Sequence, residues 1–104
     1  NTAYQDLYKE MAMRSKLDSN STREQIEIAL NDPNTSSDDL VEIATNYQRV
    51  RSPEAQSMRA LEILATRGDV HHVARVGCTC ASRYDKVMRR AWGIEAAMMR
   101  RGGT

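Results

Sequence analysis

The stretch ALNDPNTSSDDLVEIAT, residues 29–45, decides the fold, because it ends one amphipathic helix and begins another within a few residues. Pro33 disfavours helical backbone at the residue before it, so the first of these helices stops there. Ser36, Ser37 and the two aspartates that follow offer side-chain oxygens and negative charge, which stabilise the N-terminus of a new helix. We therefore expect residues 32–37 to form a structural corner between two helices.

Comparable boundary signals divide the rest of the chain into helices. Ser21 and Glu24 have the spacing of a capping box, Ser52 is a predicted N-cap before a first-turn proline, and Asp69 is a predicted N-cap after a helix-ending glycine. No stretch alternates with period two for long enough to predict a strand. The sequence predicts an all-α compact bundle of about six short amphipathic helices: Thr2–Lys16, the stretch between Ser21 and Pro33, the stretch from Ser36 to Tyr47, Ser52 to about Arg67, Val70–Val76, and Arg83 to about Arg100.

Length and composition bound the organisation of the chain. Its 104 residues predict a single domain, residues 1–104, with 102–104 as a frayed tail. The chain has no Phe and six Met, so Leu, Ile, Val, Ala and Met must form the core. No apolar run is long enough to cross a membrane, and no signal peptide is visible. Cys78 and Cys80 are too close to bridge easily, so we expect reduced thiols and a cytoplasmic protein.

The charge is distributed unevenly along the chain. Residues 1–48 carry four Lys or Arg against nine Asp or Glu, a net charge of −5. Residues 49–104 carry eleven against five, a net charge of +6. This polarity predicts attraction within the molecule, head-to-tail association between copies, or a basic surface for an acidic partner.

The corner and its flanking helices also resemble a known repeat. From Ile26 to Ala44 the sequence is similar to the leucine-rich repeat variant, a HEAT-like bacterial helical repeat in which an Asp-Pro-x-Thr turn joins two short helices. A weaker second copy, over residues 73–91, lacks the proline and carries a two-residue insertion. The resemblance implies helix pairs that stack and bind macromolecules, and it carries over no catalytic residues.

One group of residues has side chains that bind metals or act as nucleophiles: His71, His72, Cys78 and Cys80. Adjacent histidines diverge by about 100° on a helix, and Cys-x-Cys lacks the two-residue gap usual in zinc sites. No nucleophile motif surrounds the thiols. We therefore predict no enzyme activity, no catalytic residue, no metal site and no cofactor.

The last predicted helix carries the strongest candidate for a binding surface. Lys86, Arg89, Arg90 and Arg100 form a basic face that could neutralise phosphates, although no DNA-reading motif accompanies them. The alternative is a solvated face that pairs with the acidic half of the chain.

The opposite side of this helix places Glu95 on the apolar stripe with Trp92, where a buried carboxylate is costly. Incomplete burial of the stripe would favour a partner or a second copy there. The tentative partner-binding residues are therefore Lys86, Arg89, Arg90, Trp92, Glu95, Met99 and Arg100. The sequence thus predicts a small non-enzymatic helical module that binds a protein or itself, with nucleic-acid association as the alternative.

Overall fold

The computed structural model describes residues 17, 18, 20–46, 52–78 and 84–102, and over these ranges the chain forms five α-helices and no strand. The prediction of an all-α fold is confirmed. The helix predicted over Thr2–Lys16 lies outside the described residues. No helix within the described ranges has both the length and the apolar character needed to cross a membrane. The helices are α1 (Arg23–Asn31), α2 (Ser37–Thr45), α3 (Glu54–Arg67), α4 (Val70–Gly77) and α5 (Asp85–Gly102).

The corner between α1 and α2 is held by side chains that replace helix hydrogen bonds. Thr35 is buried, and its hydroxyl donates at 2.6 Å to the carbonyl of Ala29, which also accepts from the backbone N–H of Asp32 at the end of α1. The amide of Asn34 donates to the Asp32 carboxylate at 2.9 Å, and Ser36 caps α2. The structure thus shows the structural corner that the sequence predicts.

Two of the predicted helix starts are wrong in detail. The capping box of α1 joins Thr22 to Gln25, one residue later than the predicted pair of Ser21 and Glu24. The Ser21 hydroxyl instead accepts from the amide of Asp18. Two adjacent hydroxyl residues offer the same chemistry, so the local sequence does not distinguish between them.

The second correction concerns α3. Its N-cap residue is Pro53, whose side chain makes no capping bond, whereas Ser52 was predicted to cap it. By contrast, Asp69 caps α4 as predicted, and Gly68 adopts the left-handed conformation expected of a helix-ending glycine. Gly102, predicted to begin the frayed tail, is the last residue of α5.

Helix α3 lies at the centre of the described structure and packs against each of the other four helices. Its inner face is fully buried at Ala60, Leu61 and Leu64. Helix α1 contributes Ile26 and Leu30 to the same core. The remaining buried apolar residues are Leu17, Leu40, Val41, Ile43, Ala44, Val73, Val76, Val87, Ala91 and Ile94.

A buried group of polar residues joins the end of α2 to the start of α3. Asn46 is the C-cap of α2 and has a left-handed backbone. Its side-chain NH₂ group donates to the Ser52 carbonyl at 2.9 Å, and its side-chain oxygen accepts from the Ser52 N–H at 2.9 Å. The hydroxyls of Ser52 and Ser57 lie 2.8 and 2.9 Å from the carbonyl of Ile43. Tyr84, just before α5, donates to the Ser52 carbonyl at 2.9 Å. We call these five residues the Asn46 cluster.

Replacing Asn46 should separate two contributions to the stability of this cluster. Asn46→Gly keeps the left-handed backbone and removes both bonds to Ser52, so we expect a loss of roughly 2 kcal/mol in the free energy of unfolding. Asn46→Ala should lose about 1 kcal/mol more, because alanine is strained in that conformation. Urea unfolding followed by circular dichroism measures both. Equal stabilities for the two variants would contradict the role of the backbone conformation.

Candidate functional site

The predicted binding residues all lie on α5, whose 18 residues extend about 27 Å at the usual rise per residue. Val87, Ala91 and Ile94 face the core. Next to this buried face, helical spacing aligns Met88, Trp92, Glu95, Ala96 and Met99, which we call the outer stripe. Trp92 is 44% exposed and Met99 60% exposed, whereas Met88 and Glu95 are half-buried. The outer stripe therefore presents apolar side chains to solvent.

The indole of Trp92 is held in one orientation by the end of α4. Its Nε1–H donates to the carbonyl of Gly77 at 2.5 Å. A Cβ atom added at Gly77 would lie 2.7 Å from Cδ1 of the indole, so the ring packs directly on the backbone of that residue. The sequence does not predict this contact, since nothing in the local pattern joins residues fifteen positions apart. The exposed part of Trp92 is thus a fixed surface.

The four predicted cations lie beside the stripe or on the far side of α5, and all are exposed. Two of them form ion pairs: Arg89 with Asp85 at 2.9 Å and Arg90 with Glu62 at 3.4 Å. The side chains of these pairs are at least half exposed, so each pair contributes little to stability. They partly neutralise the basic face.

Glu95 lies within the outer stripe, between the exposed apolar side chains. Within the described part of the chain it forms no ion pair. A half-buried carboxylate among apolar groups needs hydrogen bonds. Glu95 therefore keeps water at the outer stripe unless a hydrogen-bond donor from another molecule replaces that water.

Two glycines test the packing of Trp92. We expect Gly77→Ala to reduce the free energy of unfolding by about 1–3 kcal/mol, because the new methyl group collides with the indole. The matched substitution Gly93→Ala should raise it by about 1 kcal/mol, because an added Cβ there meets nothing within 4 Å and alanine favours the helix.

Urea unfolding measures both changes, and fluorescence of the single tryptophan reports the environment of residue 92. The emission of the Gly77→Ala variant should shift to the red as the indole moves into water. An unshifted spectrum with full stability would show that the ring does not pack on Gly77.

The structure places His72 between two carboxylates. Its Nδ1 lies 2.5 Å from Oδ2 of Asp69, and its Nε2 lies 3.3 Å from Oδ1 of Asp38. Arg75 donates to the same Asp38 oxygen at 2.7 Å. These contacts join the N-terminal turns of α2 and α4. Because both ring nitrogens face carboxylates, neither is available to a ligand without breaking a contact.

The other residues with metal-binding side chains do not join His72. His71 and Cys78 are exposed, and Cys80 lies outside the described residues. Across the described residues, no three His, Cys, Asp or Glu side chains are placed to hold a metal ion together.

The carboxylates beside His72 have lowered pKa values. For Asp38 the hydrogen bond from Arg75 is the main cause of the lowered pKa, with a further contribution from His72. For Asp69, burial raises the pKa, but hydrogen bonds from the His72 and His71 amides and from the His72 ring together outweigh it. A group whose pKa is lower in the folded protein stabilises it above its unfolded pKa, and this stabilisation is lost as the pH falls through the folded value.

We therefore expect the domain to lose stability as the pH falls below about 4, the ordinary pKa of an aspartate. The variant Asp38→Asn should be less stable than the wild type at neutral pH. Its free energy of unfolding should fall less than that of the wild type when the pH is lowered. Urea unfolding over a series of pH values measures how the free energy of unfolding depends on pH. Parallel curves of this free energy for the two proteins would contradict the stabilising role of the Asp38 carboxylate.

Comparison with known proteins gives no match: no family model, curated protein or solved structure is significantly similar to this chain.

Proposed function

We propose that this domain is a non-enzymatic helical binding module that contacts a protein partner, or a second copy of itself, through the outer stripe of α5. One observation carries the proposal: Trp92 is fixed by Gly77 yet 44% exposed, and Met99 is exposed two turns further along the same face. Tryptophan is frequent among the residues that dominate binding energy. A ring already held in place loses little conformational entropy on binding.

The resemblance to stacked helical repeats supports the same class of function. Repeats of this kind bind macromolecules through faces that stacking leaves exposed. We propose that α1 and α2, joined by the Asp32-Pro33 corner, form such a repeat unit and that the domain acts inside the cell.

Nucleic-acid association remains the alternative function, carried by Lys86, Arg89, Arg90 and Arg100. What supports it is their exposure along α5. Ion pairs from Arg89 and Arg90 to neighbouring carboxylates weaken it, because paired cations attract phosphates less. The protein-binding proposal has the stronger support.

Photo-crosslinking from position 96 tests the proposal. A benzophenone amino acid in place of Ala96, which is exposed on the stripe, should form a crosslink to one discrete protein in an extract of the native host. A photoreactive group at Arg89, which is exposed beside the stripe, should give the same crosslink, and that crosslink should disappear in the variant Ala96→Glu with Met99→Glu. It should persist in Lys86→Gln with Arg101→Gln, which changes the net charge equally on the other side of α5.

Nuclease treatment separates the two functions. A crosslink that survives nuclease but depends on the outer stripe supports protein binding. A crosslink lost on nuclease treatment, or one equally strong in the stripe variant, contradicts the proposal and favours binding through the basic face.

A further inference from the structure

A buried hydrogen-bond acceptor without a donor lies at the start of α3. Gln56 is only 7% exposed, and its NH₂ group donates to the carbonyl of Arg23 at 3.0 Å and to the carboxylate of Glu27 at 3.1 Å. Turning the amide over would place its oxygen against both of these acceptors, so the NH₂ group must face them. The oxygen Oε1 is buried as well, and among the described residues no donor meets it. Buried polar atoms of this kind are rare and call for an explanation.

The sequence around α3 explains why this oxygen has no donor. Gln56 is the third residue of the helix, the position from which a capping-box side chain accepts the N–H of the N-cap residue. In α1 the equivalent Gln25 accepts from the N–H of Thr22 at 2.8 Å. The N-cap of α3 is Pro53, which has no N–H to donate and makes no side-chain capping bond. The start of α3 therefore lacks both a donor for Gln56 and an acceptor for the N–H groups of its first turn.

A groove adjoins these groups, between the start of α1 and the start of α3. It has a volume of about 420 Å³, within the usual range of ligand pockets. Pro53 and Ala55 contribute apolar groups to its wall, and Gln56 is part of the same wall. The other lining residues of this α1–α3 groove are Arg23, Glu24 and Glu27. A molecule in the groove therefore lies beside Gln56 and the first turn of α3.

The charges around the groove favour neither a cation nor an anion. Glu27 is already paired with Arg59 and bonded by Gln56. Arg23 and Glu24 are exposed, carry opposite charges and form no ion pair within the described ranges. The groove thus offers apolar surface, one buried acceptor and uncapped N–H donors. An amide complements this set, because its N–H donates and its carbonyl accepts.

We propose that the α1–α3 groove binds a short uncharged peptide segment, whose N–H donates to Oε1 of Gln56 and whose carbonyl accepts from the first-turn N–H groups of α3. The bound segment supplies the two parts of the capping box that Pro53 leaves incomplete. Oε1 is buried in the free protein, and the soft terminal torsion of a glutamine side chain allows the rotation that binding requires. The groove shares no residue with the outer stripe, so this site is independent of the proposed function.

Three small probes test which chemistry the groove recognises. N-acetyl-alanyl-alanine amide offers donors and acceptors, acetate offers acceptors alone, and methylammonium offers donors alone. In NMR spectra of the full chain, the peptide should shift the side-chain NH₂ signals of Gln56 and the backbone N–H signals of Glu54 and Ala55 until they saturate. A dissociation constant of about 1 mM is expected for a ligand of this size. Neither ion should shift these signals at the same concentration.

The variant Pro53→Ser separates binding from folding. Serine supplies an N–H and a capping hydroxyl from within the chain, so the urea midpoint of unfolding should rise. The same groups compete with the peptide, and we expect its binding to weaken about tenfold, as for the loss of one hydrogen bond. Because this variant is more stable than the wild type, its weaker binding cannot result from unfolding.

Two further variants complete the test. Gln56→Met removes the acceptor at nearly constant volume and should also weaken peptide binding about tenfold. The stripe variant, Ala96→Glu with Met99→Glu, is the control and should bind the peptide like the wild type.

Three results would overturn the inference. No saturable shift with the peptide would exclude the site. Shifts produced by acetate or methylammonium and not by the peptide would show that the groove recognises charge. Undiminished peptide binding in Gln56→Met would show that Oε1 takes no part. Each of these results leaves the crosslinking test of the outer stripe unaffected, so failure here and failure of the proposed function are distinguishable.

Discussion

The hydrogen bonds between Asn46 and Ser52 are the constraint on which the rest of the described structure depends. Asn46 occupies the left-handed conformation at the end of α2, and its side chain bonds both backbone polar groups of Ser52. All of these groups are buried, where an unpaired donor or acceptor would cost about 1–3 kcal/mol. The end of α2 therefore has a single position relative to the start of α3.

The same cluster also fixes α5 relative to α3. Tyr84 precedes α5 and donates to the Ser52 carbonyl, which already accepts from Asn46. At its middle, α5 is fixed again by the bond from Trp92 to Gly77 at the end of α4. Two polar contacts at different points along α5 define its direction as well as its position, which apolar packing alone specifies less strictly.

The sequence predicts the parts of this fold that depend on local chemistry. The corner at Pro33, the cap at Asp69 and the left-handed Gly68 all follow from residues within one turn of the boundary. At Thr22 the local signal is ambiguous, because Ser21 has the same hydroxyl, and only the surrounding structure decides. Asparagine is frequent at left-handed helix ends, so the conformation of Asn46 could have been predicted from its residue type, although the sequence predictions do not include it.

Contacts between distant residues are what the sequence does not reveal. The candidate residues of the stripe follow from helical periodicity, but the fixed orientation of Trp92 depends on Gly77, and the pattern around either residue does not indicate the other. The ion pair between Arg59 and Glu27 is likewise not indicated by the local sequence, because it joins two helices that lie about thirty residues apart along the chain. Periodicity locates a face, whereas only packing shows whether that face is rigid.

The ion pairs show how much of the charge asymmetry is used within one molecule. Arg59 pairs with Glu27 between α3 and α1, and Arg75 pairs with Asp38 between α4 and α2. In each pair a cation of the basic part of the sequence meets a carboxylate of the acidic part, so the asymmetry serves the fold first.

Charges far from these helix contacts stay exposed. Glu24 lies at the start of α1, and Arg100 lies near the end of α5. Neither forms an ion pair within the described part of the chain. Solvated charges of this kind contribute little to the stability of a single molecule.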